Sequence, residues 1–325
     1  MKTQSLGTDR LGGSDLKVTY SSAAVYEEGR HHTRLWELYN AALELIKIRI
    51  TFFVGMSAAF GYLLANGNVS GGMVLPVLGI FLLSCASAAA NHYQEVATDV
   101  LMHRTSKRPL PAGVVTPAFV LTFILILSAI GSTLILLTGN LTALVLAWLA
   151  FISYNGVYTP LKKVTPFAVI PGSFVGSFPV MAGWAAAGGQ LLDARLIAVA
   201  VFFFIWQIPH FWLLMDLYSV DYERAKFPTL RLIYKEAAIS VLIYAWMIAL
   251  AISSLLFITS GVVDNLFGRI GLAALGIWLA LSTFPIVQQS VDKRATKAAF
   301  MKINVYVLAV TLLVMIDKLM RILVK

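Results

Sequence analysis

From about residue 43 the chain alternates apolar runs of roughly 20 residues with short polar stretches, and it does so nine times. Wound as a helix at 1.5 Å per residue, a run of that length matches the hydrocarbon thickness of a bilayer. The runs predict membrane-spanning helices at about 43–65, 72–92, 117–137, 140–158, 166–187, 195–218, 237–259, 268–289 and 300–323. The expected fold class is therefore all-α, a polytopic membrane helix bundle of about nine spans. Residues 1–40 are polar and mixed in charge, and are expected to form a mobile cytoplasmic tail before a membrane domain at 41–325. Neither a signal-peptide core nor a small-residue cleavage site precedes the first apolar run.

The cations between the runs are not evenly shared. Loops after even-numbered spans carry Arg104, Lys107, Arg108, Lys162, Lys163, Arg224, Lys226, Arg231, Lys235, Lys293, Arg294 and Lys297. Loops after odd-numbered spans carry only Arg195 and Arg269. Positive residues stay on the cytoplasmic side, so the even loops and the N-terminus are expected there. An odd span count then leaves the C-terminus outside, although it carries Lys318, Arg321 and Lys325.

The stretch NHYQEVATDVLMHRTSKRPLPAG, residues 91–113, joins two of these spans and concentrates polar chemistry. Asn91, Glu95 and Asp99 recur every four residues, which holds them within an arc of roughly 80° and about 12 Å of rise on a helix. One face then offers only oxygen ligands, the set that a hard divalent cation such as magnesium prefers. Arg104, Lys107 and Arg108 follow, placed to meet an anion arriving with the metal, and Pro109, Pro111 and Gly113 stop the helix. Polar residues also occur at ordinary span ends, and loop cations also fix topology. Aligned carboxylates beside an apolar span are costly, however, and that favours function.

A second polar centre, WQIPHFWLLMDLYSVDYERAKFP at 206–228, ends the sixth run. If the helix continues to Asp221, then Gln207, His210, Leu214, Tyr218 and Asp221 share one face, with Asp216 turned away. Pro209 removes a backbone donor near His210 and is expected to bend the helix there. By helical rise His210 lies about 16 Å deeper than Asp221, where it is either a packing residue or a contact to a second substrate. Both centres end in a basic, proline-containing loop four spans apart, the pattern of a weak internal repeat facing one cavity. Between them, YNGVYTPLKK at 154–163 offers Lys162 as a further phosphate contact or simply ends the fourth span. Gly172, Gly176 and Gly183, with Pro171 and Pro179, permit close packing or bending of the fifth.

Composition narrows the chemistry. Of 325 residues, 59% are hydrophobic and 13% charged, with a mean hydropathy of +0.80. The net charge of +9 sits in short loops between spans, so topology and a phosphate-bearing substrate explain it better than nucleic acid, which is not an expected partner. Cys85 is the only cysteine, which excludes an internal disulfide and a cysteine zinc site. The adjacent His31 and His32 diverge on a helix and read as a solvated pair. No Walker loop, dinucleotide fingerprint or His-Glu zinc motif is present.

The 91–113 stretch resembles the first diphosphate-binding motif of the intramembrane UbiA-type prenyltransferases, and RTSKRPLPAG is similar to the long form found in their heme-farnesylating branch. WQIPHFWLL followed by DYERAKFP resembles that branch's second motif. Ile48 stands where the branch commonly has proline, and Lys226 where it has glycine. The resemblance, over about 40–320, implies a bundle around a central cavity and magnesium-dependent transfer of farnesyl from farnesyl diphosphate to a vinyl group of heme b, with heme as substrate and not as redox cofactor. It implies that Asn91, Glu95 and Asp99 hold magnesium and diphosphate with the help of Arg104, Lys107 and Arg108, and that Asp221 belongs to a second acidic, metal-holding site. Beside it, Lys162 is the candidate further diphosphate contact, and Gln207, His210 and Tyr218 are the candidate acceptor contacts. The lipid bilayer, heme A synthase and oxidase-assembly proteins are the implied partners. A quinone-ring or chlorin acceptor, or an ion-coupled transporter that uses the same buried carboxylates, are the competing readings.

Overall fold

A computed structural model describes residues 34–288 and 293–324. His31 and His32, and most of the expected N-terminal tail, lie outside the described residues. Residues 34–45 are helical and lead directly into the first span.

Among the described residues, nine helices are long and apolar enough to cross a membrane. They are Ile48–Asn66, Gly71–Asp99, Pro117–Leu136, Leu141–Leu161, Pro166–Ala186, Ala194–Leu217, Glu236–Thr259, Leu266–Gln288 and Lys293–Lys318. The all-α expectation stands, and the chain is an integral membrane protein. Two boundaries differ usefully from the apolar runs. The second span continues as helix to Asp99, two turns beyond its apolar stretch, so the whole Asn91–Asp99 row is helical. The sixth ends at Leu217, a break at Tyr218 follows, and Asp221 belongs to a separate short helix, Ser219–Arg224. The single stripe from Gln207 to Asp221 is therefore not formed, and helical rise does not measure their separation. The sixth span does run unbroken through Pro209.

The main helix contacts pair the second span with the third, the first and fourth with the fifth, and the sixth with the seventh and ninth. Large apolar residues such as Phe202, Phe257, Met247 and Tyr306 fill the interior. Phe52, Leu125 and Leu281 stay exposed, as a surface facing lipid requires. Small residues set the closest crossing: a Cβ on Gly61 would lie 2.0 Å from the Val180 carbonyl oxygen, and one on Gly183 would lie 1.8 Å from that of Ala58. The first and fifth spans can approach this closely only because both positions lack a side chain.

Lys226 shows what its departure from glycine means. Its φ is +58°, the left-handed conformation glycine adopts freely and other residues adopt at about 1–2 kcal/mol. The side chain is exposed, so no packing recovers that cost. Lys226→Gly is expected to raise the melting stability by less than about 1 kcal/mol, because glycine's greater unfolded-state entropy offsets part of the relief. A thermal unfolding comparison in one detergent checks the sign.

Candidate active site

Asn91, Glu95 and Asp99 are all buried, at 1%, 6% and 2% exposure, although each is polar. Burying an unpaired carboxylate is costly, so each should carry a partner, and each does. The Glu95 carboxylate is paired with Lys162. Arg108 Nη1 bridges both oxygens of Asp99, at 2.8 and 2.7 Å. The Asn91 side chain accepts from Lys47 Nζ at 2.6 Å and donates to Thr159 Oγ1 at 3.1 Å. Three oxygen-bearing residues on one helix are thus matched by three cations from three other segments.

Lys47 joins the site from a position that no motif in the sequence marks. It ends the short helix before the first span with φ +49° and ψ +52°, which turns its ammonium back toward Asn91. Proline at position 48 would bias residue 47 toward extended backbone, so Ile48 leaves room for this turn. Burial, and then the neighbouring Arg108 and Lys162 charges, push the Lys47 ammonium down to about 7. Lys162 behaves oppositely: burial works against its charge, but the Glu95 carboxylate holds it above the ordinary lysine value. Its ammonium also lies over the rings of Tyr158, at 5.3 Å, and Phe227, at 5.7 Å.

The fourth span contributes through a widened π-helical turn at Ser153–Tyr158. Such turns leave carbonyls without their usual partners, and here the Asn155 carbonyl accepts from Gln94 Nε2 at 3.0 Å. Asn155 Nδ2 in turn donates to Ser87 Oγ at 2.6 Å, fixing the fourth span against the second.

The second centre meets the first through backbone. The Asp221 carboxylate accepts from the amides of His103, at 3.1 Å, and Arg104, at 3.4 Å. The Arg104 guanidinium lies 4.8 Å over the Tyr218 ring, which places Tyr218 at this mouth rather than deeper with His210. Lys107 is exposed in the same loop. Asp216 points away, as expected, and binds Arg231 at 2.7 Å and Thr296 at 3.1 Å. Gln207 packs against the fifth span, where a Cβ on Gly176 would come within 2.7 Å of its Cγ. His210 Nδ1 is 3.0 Å from Asn304 Oδ1 on the ninth span.

Among the described residues no group of three or more His, Cys, Asp and Glu side chains converges for a metal. The donor chemistry is nonetheless that of a hard cation: an amide oxygen and two carboxylates on one face, with the carboxylate charge balanced by lysine and arginine side chains.

Comparison with known proteins gives a consistent picture. The profile of the UbiA prenyltransferase family matches residues 54–306. The protein named protoheme IX farnesyltransferase of Oleidesulfovibrio alaskensis is 35% identical over 298 residues, covering 87% of this chain and 98% of that protein. The protein of the same name from Nitratidesulfovibrio vulgaris is 30% identical, covering 85% of this chain and 94% of the other. Among solved structures, a digeranylgeranylglyceryl phosphate synthase is similar with a TM-score of 0.71 at 15% identity, covering 86% and 98% of the two chains. A UbiA homologue from Archaeoglobus fulgidus, bound to GPP and Mg2+, is similar at 0.61 and 15%, covering 84% and 99%.

Proposed function

The chain belongs to the UbiA prenyltransferase family, and on that premise we propose how it transfers farnesyl from farnesyl diphosphate to a vinyl group of heme b, giving heme O. The observation that carries the transfer chemistry is the buried row of Asn91, Glu95 and Asp99, each matched by a cation. The heme acceptor follows from the relatives of that activity, which this chain matches over nearly their whole length.

In this reading Asn91, Glu95 and Asp99 would hold magnesium, and Asp221, which holds the His103–Arg104 backbone, would supply a second acidic position. Magnesium, when bound, stabilises the negative charge that develops on the departing diphosphate. With magnesium on Glu95 and Asp99, Lys162 and Arg108, which pair with those carboxylates here, would be available to phosphate oxygens. Arg104, Lys107 and Lys47 stand within the same mouth. The C1–O bond of the donor breaks, C1 bonds to the vinyl carbon, and water adds to the resulting cation with loss of a proton. Preorganised cations act here without moving water, which is why a buried cluster outperforms an exposed one.

The basic asymmetry places this mouth on the cytoplasmic face; cysteines introduced at the exposed Lys107 and Lys226 should both label from that side, and labelling from opposite sides would end the model. The function itself is tested by incubating purified protein with heme b, farnesyl diphosphate and magnesium. A product with the mass of heme O and stoichiometric pyrophosphate supports it. Substrate movement across vesicles without pyrophosphate release would favour a transporter, and prenylation of a quinone or chlorin ring alone would move the acceptor.

Asp221→Asn probes the link between the two centres. The amide presents an N–H where the His103 and Arg104 amides need an acceptor, so at least one charge-assisted bond is lost. At about 1.5–3 kcal/mol per such bond, apparent affinity for magnesium farnesyl diphosphate is expected to fall roughly 10- to 100-fold. Steady-state kinetics at varied magnesium check it.

A further inference from the structure

His210 has one ring nitrogen assigned and one left over. Asn304 Nδ2 donates to the Phe300 carbonyl at 2.6 Å, and a carbonyl can only accept. That fixes the amide orientation, so the atom facing His210 is Oδ1, also an acceptor. His210 Nδ1 must therefore carry the hydrogen, and in the neutral ring Nε2 keeps a free lone pair. Nε2 has no hydrogen bond among the described residues, and the residue is not fully covered.

The surroundings are aromatic. Trp206, Phe211 and Phe300 stand with ring centres 5.1, 5.8 and 4.9 Å from the His210 ring. Trp206 Nε1 is buried and has no hydrogen-bond partner among the described residues, an unmet donor that a ligand with its own acceptors would satisfy. The same wall reaches the diphosphate site: Phe211 stacks on Tyr158 at 4.9 Å, and Tyr158 lies under the Lys162 ammonium that pairs with Glu95. A continuous set of aromatic contacts thus links His210, through Phe211 and Tyr158, to the Lys162–Glu95 pair.

We propose that His210 Nε2 is the axial ligand to the iron of the heme acceptor, and that Asn304 is the positioning residue that sets its tautomer. A hydrogen bond to one ring nitrogen is what usually presents the other to a metal. The assignment rests on the heme-acceptor reading above and gives that reading a contact. It differs from a polar clamp between the sixth and ninth spans, which would need no free lone pair.

The test titrates the purified full-length protein in detergent with ferric heme b and follows visible absorption and electron paramagnetic resonance. Wild type is expected to give a nitrogen-ligated spectrum. His210→Ala is expected to lose it and to regain it with added imidazole, while still binding magnesium farnesyl diphosphate. Asn304→Ala keeps the ring but frees its tautomer, and heme affinity is expected to fall about 10- to 100-fold. Heme bound by His210→Ala with the wild-type spectrum and affinity overturns the ligand assignment alone. Failure of the wild type to bind heme overturns the acceptor reading and the assignment together. Should His210→Ala not fold, Asn304→Ala decides: an unchanged spectrum and affinity overturn the proposal.

Discussion

Glu95→Gln and Asp99→Asn are each expected to lower farnesyl transfer by about 10²- to 10³-fold, the scale of removing one preorganised charge from an active site. Both changes keep shape and remove a carboxylate from the row proposed to hold magnesium. The structure adds a second consequence that spacing alone does not suggest. Each carboxylate is buried against a cation, Lys162 or Arg108, with side-chain exposure of only 13% or 14%. Removing one partner strands the other, and stability should fall on the order of 3 kcal/mol. The two effects separate in a double variant. Glu95→Gln with Lys162→Met removes both charges, so it should recover much of the melting temperature and none of the turnover. Near-normal turnover in Glu95→Gln would show that the metal site lies elsewhere.

Gly61→Ala and Gly183→Ala are expected to lose most folded protein, for a reason unrelated to chemistry. The added methyl carbon would sit 2.0 or 1.8 Å from a backbone oxygen of the facing helix. Backbone cannot rotate aside as a side chain can, so the first and fifth spans must separate by more than 1 Å. Overpacking of this kind costs about 1–3 kcal/mol or more, and here it also breaks van der Waals contact along the whole crossing. Gly55→Ala is the control, because its methyl would meet Phe81 at an ordinary 3.5 Å. Size-exclusion yield and thermal unfolding in detergent report the result. Equal behaviour of Gly55→Ala and Gly183→Ala would show that the spans do not cross as closely as described. Loss of the crossing should also cost activity, since Lys47 stands at the cap of the first span.

The sequence carries the spans and the first motif because each depends on local periodicity. A run of 20 apolar residues needs a bilayer whatever its neighbours are, and three residues four apart share a helix face wherever that helix packs. The same local reasoning misjudged the second motif. Periodicity carries Asp221 on a continued helix, but the chain breaks at Tyr218, where no proline or glycine marks a stop. Its carboxylate instead supports the first motif's loop, 118 residues away at His103.

What the sequence by itself determined is thus the bundle, the uneven sharing of cations between alternate loops, and the row Asn91, Glu95, Asp99. What only the tertiary structure decided is who meets whom across helices. Lys47 reaches Asn91 over 44 residues, Thr159 reaches it over 68, and Asn304 fixes the His210 ring over 94. Such pairs depend on crossing geometry, set by Gly61 against Val180 and Gly183 against Ala58, and no single segment encodes it. A lysine between two helices reads as a topology signal until a fold turns it inward, and only burial beside other charges changes its chemistry.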